Sequence, residues 1–240
     1  MEPSQSGQWH FPGRIDQLEW LDLGYGTRAD IDQNLREMNA FNRITGGAAA
    51  IAACLGPRAG RLARTVRVLD LGTGIGGTPD ELRRWASRKG IDLQIWAVDW
   101  SLRNLACARG FLSEGAAVEL VGADALRLPF PQGAVDFVIS SLFLHHFSPD
   151  RLVCLLRTAF DCARHGLIMT DLVRGTAPRL AFRLVGPALA RHPFTRHDGE
   201  LSIRRAYRPN ELLAIAQAAG LPNPQVQAQF PWRMTLVVDR

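Results

Sequence analysis

The residues able to do chemistry gather at five points. The first is Asp70, followed by Gly72-Thr73-Gly74-Ile75-Gly76-Gly77. A carboxylate ahead of four glycines within six residues sets a negative charge beside a loop whose backbone can come close to a bound small molecule. The second is Asp99, which ends Ile95-Trp96-Ala97-Val98. A carboxylate there can accept both hydroxyls of a ribose. The third is Asp124, in Gly122-Ala123-Asp124-Ala125. The fourth is the pair His145-His146, and the fifth is Asp171, after Leu167-Ile168-Met169-Thr170. An imidazole with a near-neutral pKa can take a proton from a substrate hydroxyl. Asp171 can orient such a ring or bind the substrate.

These points need elements to hold them. Val66–Leu71 is a short apolar run broken by glycines, which reads as a buried parallel strand. Further strands are expected at Leu93–Val98, Ala117–Val121, Ala134–Ser140 and Gly166–Leu172. The helices between them are Pro79–Ser87, Ser101–Arg109 and Asp150–Ala163, with Pro79 in a first turn and Ser101 as an N-cap. Such alternation implies a parallel sheet covered by helices on both faces. Ahead of it, Ala29–Ile44 and Ala48–Leu55 read as helices of an N-terminal lid (1–60). Behind it, Pro209–Ala219 reads as a helix. Gln225–Gln229 and Trp232–Val238 are separated only by Phe230-Pro231, so they are expected to pair as an antiparallel hairpin. One domain is predicted: the lid, a cofactor-binding core (61–172), an inserted lid (173–207) and a C-terminal helix with hairpin (208–240).

The glycine spacing fits two cofactor classes. From Gly72 it satisfies G-x-G-x-x-G, the dinucleotide fingerprint, and Asp99 lies 22 positions after Gly77, which also suits NAD. Asp70 discriminates. A pyrophosphate would be repelled by this carboxylate, whereas a ligand carrying an ammonium and a sulfonium would be stabilised. The stretch Val66–Asp171 resembles class I S-adenosylmethionine-dependent methyltransferases of the small-molecule type. The likeness rests on VLDLGTGIGG, VDWS, GADA, the LPF of Leu128-Pro129-Phe130, DFVIS and the double histidine. The resemblance is broadly to enzymes like the ubiquinone/menaquinone and polyketide-tailoring ones. Arg36–Gly47, with Asn42-Arg43-Ile44-Thr45-Gly46-Gly47, is similar to a subgroup associated with type III polyketide synthases.

The resemblance implies a Rossmann-like α/β fold, a seven-stranded mostly parallel sheet with an antiparallel C-terminal strand. It implies S-adenosylmethionine as cofactor, S-adenosylhomocysteine as product, and contacts from Asp70, Gly72, Thr73, Gly74, Gly76, Asp99, Trp100, Asp124, Ala125 and Ser140. In that family Asp124 binds the adenine amino group and Ala125 supplies an amide. His145 or His146 is the expected general base, and Asp171 the orienting acid. The implied reaction is methylation of a phenolic or enolic hydroxyl on an aromatic or polyketide-type metabolite. C-methylation of a quinone or aromatic precursor is the alternative, and a non-catalytic cofactor-binding or assembly subunit is the alternative of another class.

Other readings narrow the field. An NAD oxidoreductase would lack a Tyr-x-x-x-Lys pair, since Lys89 is the only lysine. No Asn/Asp-Pro-Pro-aromatic tetrad follows Ser140, which lowers adenine methylation. The net charge of +5 is spread as arginine with no run longer than two, so nucleic acid is not an expected partner. Cys54, Cys107, Cys154 and Cys162 contain no C-x-x-C pair, and nothing completes Cys162 and His165, so neither disulfide nor metal is expected. No apolar stretch is long enough to span a membrane, and the start through Gln17 lacks a signal-peptide pattern. The expectation is a cytoplasmic monomer or homodimer. The lid His197-Asp198 is a candidate second base, and Tyr25, Arg43 and Trp232 are candidate cleft residues. The apolar Phe182, Leu184, Val185, Leu189 and Phe194 are read as a substrate-facing lid surface.

Overall fold

The computed structural model describes residues 9–62, 64–113 and 117–240. Pro3 and Gly7, part of the polar start, lie outside them. Seven strands form one sheet: β1 (Val66–Leu71), β2 (Leu93–Asp99), β3 (Val118–Gly122), β4 (Val135–Ser141), β5 (Ala163–Leu172), β6 (Gln225–Gln229) and β7 (Arg233–Asp239). Their order is β3-β2-β1-β4-β5-β7-β6. β7 alone runs antiparallel to the parallel block, between β5 and its hairpin partner β6. The doubly wound sheet with a reversed C-terminal strand is therefore present.

Strand alternation builds the core. Val66 and Val68 of β1 face one side, with Ile95, Phe137 and Ile168, under α2 (Gly47–Ala59) and α3 (Gly77–Arg88). Leu69 and Leu71 face the other, with Val138, Leu167 and Met169, under α5 (Pro149–Cys162) and α8 (Pro209–Ala218). Val66, Val68, Leu69 and Leu71 are fully buried. α4 (Leu102–Phe111) starts at Ser101, whose hydroxyl accepts from Asn104 N, the expected cap. In β5, Gly166 has φ +146, and a Cβ there would lie 1.9 Å from the Val238 carbonyl oxygen. Only glycine lets β7 pair so closely.

Two features matter for the site. α2 is not part of a lid: Ile51 and Leu55 are buried against the sheet. Residues 173–207, read as an inserted lid, are helical. They form α6 (Thr176–Leu189) and α7 (Pro193–Arg205). α7 packs on α1 (Arg28–Ile44), and with the strap of residues 9–27 they close over the C-terminal ends of the parallel strands. Among the described residues, no helix is long and apolar enough to cross a membrane.

Candidate active site

β1 ends where the chain must turn sharply. Gly72, Gly74 and Gly76 have φ of +69, +55 and +82, a region open to glycine and strained for other residues. At Gly72 a Cβ would come within 2.2 Å of the Phe143 ring. Asp99 holds the loop: its Oδ2 accepts from Gly74 N at 2.9 Å, and its Oδ1 accepts from Ser101 N at 2.9 Å and Asn104 Nδ2 at 3.2 Å. Asp99 thus organises the loop as well as facing the cavity, a role its spacing did not reveal.

The loop opens on a cavity of about 560 Å³, a size suited to small ligands. Asp70, Gly72, Thr73, Gly74, Asp99, Trp100, Asp124 and Ala125 all line it, as do His145 and His146. Three expected contacts do not. Gly76 is spent on the turn, where it caps α3. Ser140 is fully buried with an unpartnered hydroxyl, and strand alternation brings its neighbour Ser141 to the cavity instead. Asp171 lies behind His145, outside the lining.

The helix above the cavity adds polar groups to which the sequence assigned no role. Asn34, Asn39 and Asn42 of α1 line it. Asn42 donates to Thr78 Oγ1 at 3.2 Å and accepts from Ser141 Oγ at 2.9 Å. Asn34 is 1% exposed, yet neither its Oδ1 nor its Nδ2 has a partner. Buried amides are normally satisfied, so an orphan facing a cavity is a candidate ligand contact. Its only sequence signal was a polar residue on the inner stripe between Ile31 and Leu35.

A 3₁₀ turn at Leu144–His146 follows β4 and carries both histidines. Arg14 and Tyr207 donate to the Phe147 carbonyl, each at 2.7 Å, and Arg205 donates to that of His146 at 2.8 Å. Inside this clamp the histidines differ. His145 is 1% exposed; its Nδ1 lies 2.8 Å from Asp171 Oδ1, and its amide donates to Asp171 Oδ2 at 2.9 Å. Its Nε2 has no hydrogen-bond partner and lies 3.6 Å from Glu19 Oε1. Burial opposes ionisation of Asp171, but His145 and the amides of Leu172 and His145 hold its carboxyl below the usual carboxylate range.

His146 has Nδ1 at 2.9 Å from Asp22 Oδ1. Burial disfavours its charge, yet Glu19 and Asp22 outweigh that and raise its pKa to about 9. At neutral pH it is an imidazolium, which has no lone pair with which to take a proton.

Glu19 and Asp22 come from the strap. Glu19 is buried, accepts from Ser202 Oγ at 2.8 Å, and lies 3.5 Å from Arg205 Nη1. The sequence pattern showed no metal-ligand cluster, but folding brings ligand atoms of Glu19, His145 and His146 within 4.8 Å of one another. Arg205 and the charged His146 already compensate these acids, so the group behaves as an ion-pair network.

Other candidates fall elsewhere. His197 stacks on Trp20 at 3.9 Å between centroids and binds Asp198, whose oxygens accept the Trp20 and Leu21 amides at 2.9 and 3.1 Å. This pair ties the lid to the strap, and only Asp198 reaches the cavity. Tyr25, Arg43 and Trp232 do not line it. Nor do the apolar lid residues. Phe182 packs on Phe41 and Phe194 on Trp20, while Leu184, Val185 and Leu189 face solvent. The apolar lining comes instead from Leu18, Leu21, Met38, Leu142, Phe143 and Phe147.

Comparison with known proteins fits this geometry. Residues 68–166 match the family described as Methyltransferase domain. These residues form a methyltransferase domain. It is a domain of S-adenosylmethionine-dependent methyl transfer. The methyltransferase domain spans the glycine loop, Asp70, Asp99, Asp124 and both histidines. No curated protein sequence matches the chain. Among solved structures, it is similar to an S-adenosylmethionine-dependent methyltransferase from Aquifex aeolicus, at 18% identity and TM-score 0.54, covering 72% of this chain and 81% of that one. It is also similar to human N-acetylserotonin methyltransferase bound to S-adenosylmethionine, at 14% identity and TM-score 0.64, covering 95% and 63%. PigF with S-adenosylhomocysteine matches at 17% identity and TM-score 0.63, covering 94% and 63%. The chain thus spans under two thirds of the latter two, and at these identities the likeness is one of fold.

The methyltransferase domain's residues suit the cofactor. Asp70 is 1% exposed, its Oδ2 has no partner, and burial, with the Asp99 charge nearby, pushes its pKa up to about 7. A buried carboxylate under that penalty is stabilised by a ligand cation. Asp99 is also raised by burial, despite its amide bonds. Asp124 is exposed at the rim, with Oδ1 accepting from Leu126 N at 2.9 Å.

Proposed function

We propose that the enzyme methylates a phenolic or enolic hydroxyl of a small aromatic or polyketide-type metabolite, with His145 as general base and Asp171 as its orienting acid. The observation that carries this reading is the state of His145. Its Nδ1 is engaged by Asp171 at 2.8 Å, its Nε2 has no hydrogen-bond partner, and the residue lines the cavity. That pairing favours the tautomer with the proton on Nδ1 and a lone pair on Nε2. His146, held as a cation by Asp22 and Glu19, is left to anchor the strap.

S-adenosylmethionine supplies an activated methyl group, so the chain's own work is alignment and proton removal. Asp70 and the Gly72–Gly74 backbone are the proposed partners of its methionine end; Asp99, Trp100, Asp124 and Ala125 are those of its adenosine. Asn34 is the proposed polar contact that fixes one ligand's orientation. Alignment can supply about 7–11 kcal/mol of the barrier, and a positioned base a further factor of about 10²–10⁴. Leu142, Phe143, Phe147 and Met38 give the apolar wall that suits an aromatic ring.

His145→Ala and His145→Gln, assayed for S-adenosylhomocysteine release against a panel of phenols, are expected to lower kcat at least about tenfold. Affinity for S-adenosylmethionine should hold. Unchanged turnover would overturn the assignment.

A further inference from the structure

α6 has the reverse of the usual polarity of a surface helix. Its solvent side carries Leu180, Leu184 and Val185, which are 59%, 73% and 55% exposed. Ala177 and Ala188, also exposed, fall on the same side at helical spacing. A surface helix normally turns its apolar stripe inward. Here the inner side holds Phe182 against Phe41 and Gly199, and a second stripe is left outside.

Charge flanks this stripe. Arg179 and Arg183 both bond Glu200, at 2.7 and 2.8 Å, so two guanidiniums share one carboxylate. Of the five arginines between Val173 and His197, Arg174 is buried against Glu211 and stands apart from the stripe. Arg191 and Arg196, at the α6–α7 junction, are exposed.

A second apolar feature lies next to the segment leading into α6. At the tip of the β6–β7 hairpin Phe230 is 95% exposed and Trp232 44%. Val173 N donates to the Trp232 carbonyl at 2.9 Å, which sets the tip beside the chain three residues before the helix. Neither feature lines the cavity.

We propose that α6, with the Phe230–Trp232 tip, docks this enzyme peripherally on an anionic lipid surface. A helix with an apolar stripe edged by arginines lies in the bilayer interface, leucines toward the acyl chains and guanidiniums toward phosphates. Exposed tryptophan beside it suits the same depth. Charge selects lipid over a second copy, since Arg179, Arg183, Arg191 and Arg196 outnumber Glu200 beside the stripe and self-association would bring two net positive faces together. α6 packs on α7, which reaches the cavity through Asp198 and Ser202, so docking brings the roof of the site to the membrane.

The test is sedimentation of the full chain with vesicles of phosphatidylglycerol and phosphatidylcholine in roughly equal parts, and with phosphatidylcholine alone. Binding is expected on the mixed vesicles and at least about tenfold weaker on the neutral ones. The double variant L184E/V185E is expected to lose vesicle binding by at least about tenfold, and Phe230→Ser to lose part of it. Unfolding temperature and affinity for S-adenosylmethionine should stay unchanged in both, because these side chains are exposed and away from the cavity. Failure of the parent to bind mixed vesicles, or equal binding by L184E/V185E, would overturn the proposal. So would a lipid-free parent dimer that L184E/V185E converts to monomer, since the stripe would then be covered by a second copy.

Discussion

Replacing Asp70 by Asn should move stability and ligand affinity in opposite directions. Asp70 is buried with an unpartnered oxygen and a pKa pushed up to about 7 by burial. The unfolded chain releases this proton in the ordinary carboxylate range, so the folded state holds more protons between there and about pH 7. Its contribution is fully present below that range and is lost as pH rises to about 7. The gap corresponds to at most about 4 kcal/mol at pH 8, less what local relaxation recovers. Asn is neutral and similar in shape, so ligand-free D70N is expected to unfold at a higher temperature than the parent at pH 8, the two converging near pH 4.

Binding runs the other way. A cationic ligand stabilises the ionised carboxylate, so the parent's affinity for S-adenosylmethionine is full above pH 7 and falls about tenfold per pH unit below it. A charge pair about 5 Å apart at an effective dielectric constant near 20 is worth about 3 kcal/mol. D70N should therefore bind roughly 30- to 150-fold more weakly at pH 8 and lose the slope between pH 5.5 and 7. Isothermal titration across that range, with scanning calorimetry of the ligand-free proteins, reads both quantities. The reasoning is refuted if D70N binds as tightly as the parent, if its slope below pH 7 survives, or if it melts lower at pH 8.

Three further outcomes follow from the same site. Asp171→Asn is expected to lower kcat by about 10²-fold or more, by loosening the His145 tautomer, with little change in cofactor affinity; a pH–rate profile identical to the parent's would contradict this. Asp22→Asn bears on the strap. Because the folded pKa of His146 is raised to about 9, its stabilisation is full below the ordinary histidine range and lost as pH rises through about 9. Parent melting temperature should fall across that window, and D22N should flatten the fall by about 1–2 kcal/mol. Gly72→Ala forces a Cβ against Phe143 at φ +69, so affinity for S-adenosylmethionine should drop at least about tenfold; equal affinity would show that the loop tolerates a side chain.

Much of this protein was legible from local pattern. The alternation of apolar runs and helices determined the parallel sheet, since strands buried on both faces must read as continuous apolar segments. The short link after Gln229, read as Phe230-Pro231 and found to be Phe230–Trp232, determined the antiparallel hairpin, because no crossover is that short. Asp70, the glycine run, Asp99 and Asp124 were visible because they belong to strand ends, where one residue's position in sequence sets its position in the site.

What local pattern could not determine was anything assembled from distant segments. Glu19 and Asp22 carry no motif, and only the fold of the strap puts them beside the histidines and makes His146 a cation. Asn34 looked like one more polar helix residue until α1 closed over the cavity. The apolar residues of 173–207 were visible, but which of them faced inward was not. Hydrophobicity records that a residue avoids water, while only tertiary packing decides which surface it meets. For α6 that packing left the leucines outside.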